Sequence, residues 1–181
     1  MGFRPLLSLL AVGALSVILS AGMEGRPLGV ATTVRLYDGG LSRESSLEWR
    51  IAPRAGALLC LDSYSSPGWG DDWRIGAVLL CRPITRRFTL EVGAGAGINA
   101  APGLAGQLSL DALIRARYGI LFAEGTGLFF RDGLFCPSLA GVRVRVWRGL
   151  RLHLGGGGYY VTDYHAAGFT PTAAAGVSYG F

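Results

Sequence analysis

From residue 27 to the C-terminus, apolar and polar residues alternate with a period of two, and the charged residues keep to one parity of each run. Leu47, Trp49 and Ile51 alternate with Glu48 and Arg50, and Trp73, Ile75, Ala77 and Leu79 with Arg74 and Gly76. Phe88, Leu90, Val92, Ala94 and Ala96 alternate with Thr89, Glu91 and glycines; Leu108, Leu110, Ala112, Ile114 and Ala116 alternate with Ser109, Asp111, Arg115 and Arg117. Val142, Val144 and Val146 alternate with Arg143 and Arg145, and Leu150, Leu152 and Leu154 with Arg151 and His153. This is the period of a strand with one apolar and one polar face, and no helical period competes over a comparable length. The runs predict an all-β chain of up to ten strands, several reaching the ~9–11 residues that a tilted membrane strand needs.

The charges decide which face is enclosed. An arginine turned to lipid at mid-membrane costs about 2–4 kcal/mol, whereas a folded domain is stable by only about 5–15 kcal/mol. Arg35, Arg50, Arg74, Arg115, Arg117, Arg143, Arg145 and Arg151 must therefore line an interior, where they meet Glu48, Glu91, Asp111 and Glu124, with His153 beside Arg151 in a structural hydrogen-bonding role. Two interiors are open at this point. One is a plug of ion pairs filling a narrow lumen; the other is a narrow pore for small solutes whose surplus arginine favours anions.

Length and composition agree with a single membrane barrel. The 181 residues suffice for one domain, 50% of them are hydrophobic, and 29 are glycine without a G-X-Y period. That excludes a disordered chain and collagen and is unusual for a soluble domain, but suits a wall that faces lipid. The net charge of +5 is carried entirely by arginine, scattered singly and without a nucleic-acid motif, so nucleic acid is not an expected partner. Cys60, Cys81 and Cys136 are odd in number and lack a C-x-x-C pair, which points to small apolar strand residues, not a disulfide framework or zinc site.

At the N-terminus, Arg4 precedes an apolar run from Leu6 to Leu19, and Ser20, Ala21 and Gly22 then supply small residues for cleavage. Residues 1–22 read as a signal peptide cut after Ala21 or Gly22, with 23–181 as the exported barrel domain. No later stretch approaches 18 apolar residues without a charge, so membrane crossing must use strands. Tight connections at 53–55, 82–86 around Pro83, 118–119 and 148–149 alternate with longer polar ones at 38–44, 64–71, 99–105, 131–135 and 163–167. Short periplasmic turns and longer external loops alternate in this way in outer-membrane barrels. The pattern gives an antiparallel up-and-down barrel of ten strands with both termini periplasmic, or eight if residues 45–63 form no regular hairpin. Tyr37, Trp73, Phe88, Tyr118, Trp147, Tyr159, Tyr160, Phe169, Tyr179 and Phe181 sit near strand ends, as an interfacial girdle would.

The last segment, FTPTAAAGVSYGF, ends in Phe181 with Tyr179 and Val177 at alternate steps. It resembles the carboxy-terminal assembly signal of outer-membrane barrels, and the chain as a whole resembles the small-barrel group that includes OmpX, OmpW and the OmpA membrane domain. The resemblance implies residence in the bacterial outer membrane, with outer-membrane lipid and the barrel assembly machinery as partners and no cofactor. Some small barrels are lipid-modifying hydrolases or acyltransferases. The residues for such a site here are His165 and Asp163 in the last external loop and Ser63, with Asp62, Ser65 and Ser66, in the second. Lipid A deacylase barrels place a His two residues before a Ser on one strand, and neither His153 nor His165 has that Ser. A third possibility is a surface adhesin using Trp69. His153 and His165, twelve residues apart, match no metal-ligand spacing.

Overall fold

A computed structural model describes residues 28–37, 40–66, 70–99, 107–131, 133–163 and 167–180. The expected signal peptide (residues 1–22), Trp69, His165 and Phe181 lie outside the described residues. The strands are β1 (Leu28–Tyr37), β2 (Gly40–Ala52), β3 (Ala55–Ser66), β4 (Gly70–Thr85), β5 (Phe88–Asn99), β6 (Leu108–Tyr118), β7 (Leu121–Phe130), β8 (Gly133–Trp147), β9 (Leu150–Asp163) and β10 (Ala167–Gly180). Each pairs antiparallel with the next, and β10 pairs with β1 from Gly29↔Gly180 to Tyr37↔Thr172, closing a ten-stranded barrel.

The eight-strand alternative is therefore excluded. β2 and β3 are 13 and 12 residues long and pair from Leu41↔Ser65 to Ala52↔Ala55. Their loop-side halves look like loop in sequence because a strand lining a polar lumen, next to a lipid interface, carries Ser, Glu and Asp. The turn expected at 82–86 also moves. β4 runs on to Thr85, and the turn is at Arg86-Arg87. Pro83 sits where the register against β5 shifts between Cys81 and Ile84. A bulge is where a strand tolerates a residue without an N–H, so Pro83 bends β4 without ending it. Arg82 stays in the strand, its N–H bonded to the Arg54 carbonyl at 2.8 Å.

All four described turns, at Pro53-Arg54, Arg86-Arg87, Gly119-Ile120 and Arg148-Gly149, lie at one end of the barrel, together with the start of β1 and the end of β10. The outward parity is apolar around the wall: Leu79, Leu110, Ile114, Val144, Leu154 and Phe169 are all exposed. Among the described outward side chains the charged one is Arg43, near the loop end of β2, where it can reach headgroups. No helix among the described residues is long and apolar enough to cross a membrane. A closed sheet with an apolar outer wall and its charges inside is a transmembrane β-barrel of the outer-membrane type.

The inward glycines make room for the interior. A Cβ on Gly95 would collide with the Ala77 carbonyl oxygen, and one on Gly97 with the Arg74 guanidinium. With β5 bare on that face, Val78 and Leu80 of β4 and Leu113 of β6 fold over it and join Leu58 in a buried apolar cluster. Phe122, Leu139 and Ala174 form a second cluster across the lumen.

Candidate functional site

The lumen is built in three tiers. At the loop end, Tyr37, Tyr64, Phe135 and Tyr159 carry the inward parity of β1, β3, β8 and β9. Phe135 stacks on Tyr159 with ring centroids 5.0 Å apart. Tyr37 meets Tyr159 edge-on at 5.4 Å, and Tyr64 meets Phe135 at 5.4 Å and Tyr159 at 6.3 Å. The Tyr159 hydroxyl hydrogen-bonds the Ser42 hydroxyl, and Tyr37 donates to the Ser65 carbonyl at 3.2 Å. Tyr159 is only 4% exposed. Tyr37 and Tyr159 are thus not girdle residues. They share the parity of Arg35 and of His153, and that parity, more than nearness to a strand end, sets the direction of a strand side chain.

The middle tier is ionic, and at Arg82, whose N–H bonds the turn residue Arg54, and at Arg117 it extends to the turn end. Arg35 meets Glu44 through two nitrogens, each at 2.8 Å, donates to the Ser138 carbonyl at 2.7 Å and lies 3.9 Å from Glu124. Arg74 joins Asp62 at 2.9 Å and also pairs with Asp111, whose other oxygen accepts from Ser109 at 2.8 Å. Arg82 bonds Glu91 at 2.7 Å and pairs with Glu48. Arg115 bridges Glu124 (3.4 Å), Glu48 (3.7 Å) and Glu91 (3.9 Å), and Arg117 lies 3.6 Å from Glu91. Most of these links join neighbouring strands, while Arg35–Glu124, Arg74–Asp111, Arg82–Glu48 and Arg115–Glu48 connect strands that do not pair. Such pairs gain little beyond their own desolvation, but removing one partner leaves the other charge buried and uncompensated.

Sequence reasoning misses Ser42, Glu44, Asp62 and Arg82 as lumen residues. Asp62, expected in an external loop, is buried in β3, and Arg82, expected in a turn, is buried in β4. The available signal is the parity of neighbours already placed inward: Ser42 and Glu44 continue Glu48, and Arg82 continues Arg74 through Gly76, Val78 and Leu80.

The turn-end tier holds Arg50, Arg143, Arg145, Arg151 and His153. Arg50, Arg145 and Arg151 are exposed at the mouth, while Arg143 stacks on Phe122 with its guanidinium carbon 5.3 Å from the ring centre. Arg145 pairs in register with Arg151, and Arg143 with His153. His153 is buried, with Nε2 2.9 Å from the Thr33 hydroxyl. A cavity of about 190 Å³ runs from beneath Tyr64 to Gly29, Tyr179 and Gly180 at the turn end; Arg35, Glu48, Arg50, Arg74, Asp111, Arg115, Arg117, Glu124, Arg143, Arg151 and His153 line it. Glu91 lies behind its arginine partners, and Arg145 sits at the rim.

The hydrolase candidates do not converge among the described residues. Ser63 lies on the outward parity of β3, paired with Arg43 and Trp73, and Asp163 ends β9 opposite Gly133. β2, β1 and β10 separate their strands. No group of three or more His, Cys, Asp or Glu among the described residues could hold a metal ion. Val177 and Tyr179 lie on the outward parity of β10, paired with Thr32 and Val30 of β1.

No family model matches the sequence, and no curated protein sequence matches it. Solved structures that it resembles include the KdgM porin (10% identity, 84% of this chain and 99% of that one, TM-score 0.47). Neisserial surface protein A matches at 18% identity over 86% of this chain and 96% of that one, with a TM-score of 0.39. A major outer membrane protein from Thermus thermophilus matches at 12% identity over 87% and 100%, with a TM-score of 0.41. The assignment to this type of barrel rests on the closed sheet and its apolar wall.

Proposed function

We propose that this chain is exported by residues 1–22, inserted into the bacterial outer membrane by the barrel assembly machinery through its carboxy-terminal strand, and held there by lipid as a closed barrel. One observation carries the closed state: four inward aromatic side chains from four strands meet across the loop end, tied to the wall through Ser42 and Ser65. Beneath them, Arg35 and Arg74 reach across to neighbouring strands and occupy the middle of the lumen. A structural or surface barrel with a plugged interior accounts for both tiers.

A second reading, a gated channel, is favoured by the cavity that runs from the turn end up to the aromatic tier. Planar-bilayer recording separates the two. The purified protein is expected to give no conductance steps at any applied voltage, and neither is Phe135→Ala/Tyr159→Ala, because Arg35 and Arg74 still fill the middle of the lumen; steps favouring anions from that variant would support the gated channel. Steady conductance from the unmodified protein would overturn the closed reading.

A further inference from the structure

The arginines of the lumen are unevenly neutralised. Glu44, Asp62 and Asp111 are taken up by Arg35 and Arg74 in the middle tier. Glu48, Glu91 and Glu124 each face Arg115 and at least one further arginine among Arg35, Arg82 and Arg117. Among the described residues no carboxylate lies in ion-pair range of Arg50, Arg143, Arg145 or Arg151. Arg145 and Arg151 even stand opposite each other in the β8–β9 register, an arrangement that is destabilising when the two charges are alike.

A second observation comes from hydrogen bonding. Arg143 Nε, His153 Nδ1 and Ser178 Oγ are buried without a hydrogen-bond partner, and all three residues line the cavity. Buried polar atoms are normally satisfied, and the arginine nitrogen and serine hydroxyl are donors. His153 Nδ1 becomes a donor when the Thr33 hydroxyl donates to Nε2. Arg151 and Ser178 are opposite neighbours in the β9–β10 register, as are His153 and Gly176, so these groups share one patch of wall. Arg151 leans over Gly180 at the mouth, which leaves the patch approachable from the turn end.

From this we infer that the turn end of the lumen is a binding site for a small phosphate-type oxyanion, held by Arg143, Arg151, His153 and Ser178, with Arg50 and Arg145 at its rim. An anion with several acceptor oxygens answers donors presented at neighbouring register positions of β8, β9 and β10 better than a planar carboxylate does. The cavity, about 190 Å³ along its whole length, has room for several waters, and an inorganic phosphate or a small phosphate ester would replace those at its turn end. Because tight turns face the periplasm in such barrels, the ligand would enter from that side. The site does not require the loop end to be shut, so this inference and the closed-barrel reading fail separately.

The test uses inorganic phosphate on the purified barrel, folded in detergent and in chloride-poor buffer. Calorimetric titration is expected to show binding that weakens as salt rises. Arg143→Gln/Arg151→Gln should weaken it at least about tenfold, since each charge-assisted hydrogen bond contributes about that much. Arg87→Gln, exposed at the β4–β5 turn, should leave it unchanged. Heat-modifiable gel mobility reports whether each variant is folded. If the double variant does not fold, Arg151→Gln alone and ¹⁵N-histidine spectra of the unmodified barrel take its place. Phosphate should then shift the ring nitrogens of His153, identified by their persistence in His165→Gln. Absence of binding at millimolar phosphate, or equal binding by the folded arginine variants, would overturn the proposal.

Discussion

Replacing Arg74 with methionine is expected to destabilise the folded barrel by about 3–5 kcal/mol. Arg74 is 3% exposed and pairs with both Asp62 and Asp111, themselves 8% and 4% exposed, while also bonding Ser109. Methionine keeps much of the volume but leaves two carboxylates facing each other inside the lumen without a cation. Breaking one side of a buried pair costs more than the pair itself contributes, because the remaining charge keeps its desolvation penalty. The companion Asp62→Leu/Arg74→Met/Asp111→Leu variant removes all three charges and should recover most of the loss, extending the apolar cluster of Leu58, Val78, Leu80 and Leu113. Urea unfolding in lipid vesicles reads both. A single-variant loss below about 1 kcal/mol would mean that water from the adjoining cavity solvates both carboxylates once Arg74 is gone, and that the ionic tier does not depend on this pairing.

The fold is legible in the sequence because a membrane barrel imposes one rule at every position. Residues on one parity meet lipid, those on the other meet the lumen, and misplacing an arginine costs more than most other errors. That rule carries Arg35, Arg74, Arg115 and Arg143 inward without knowledge of any partner. It works least well where sequence convention competes with it. Pro83 reads as a turn and Ser-Tyr-Ser-Ser at 63–66 reads as a loop, so Arg82 and Asp62 are detached from strands whose parity already gives them a direction. Tyr159 follows the same error in reverse, placed by nearness to a strand end when its parity points to the interior. What no alternation pattern supplies is who meets whom. The register of β4 against β3 and β5, shifted by the bulge at Pro83, decides that Arg82 reaches Glu91 and Glu48. The stagger of a closed barrel likewise brings Arg35 of β1 near Glu124 of β7. These are properties of closure and appear only once all ten strands are in place.

Leu79→Arg is the complementary test, directed at the wall. Leu79 lies near the middle of β4, is 69% exposed and is flanked in register by Ala57 of β3 and Ala94 of β5. On a water-facing surface, changing so exposed a leucine to arginine alters stability by no more than about 0.5 kcal/mol. At the midplane of a bilayer the same change should cost about 2–4 kcal/mol, because the guanidinium must snorkel or draw water and headgroups inward. Small neighbours give it no carboxylate to pair with and no bulk to shield it. Unfolding in vesicles is expected to show that loss, with Arg54→Leu at the β2–β3 turn near neutral in the same assay. A cost within about 0.5 kcal/mol for Leu79→Arg would put the outer face of this barrel in water, and the inward turn of every arginine would then need another cause.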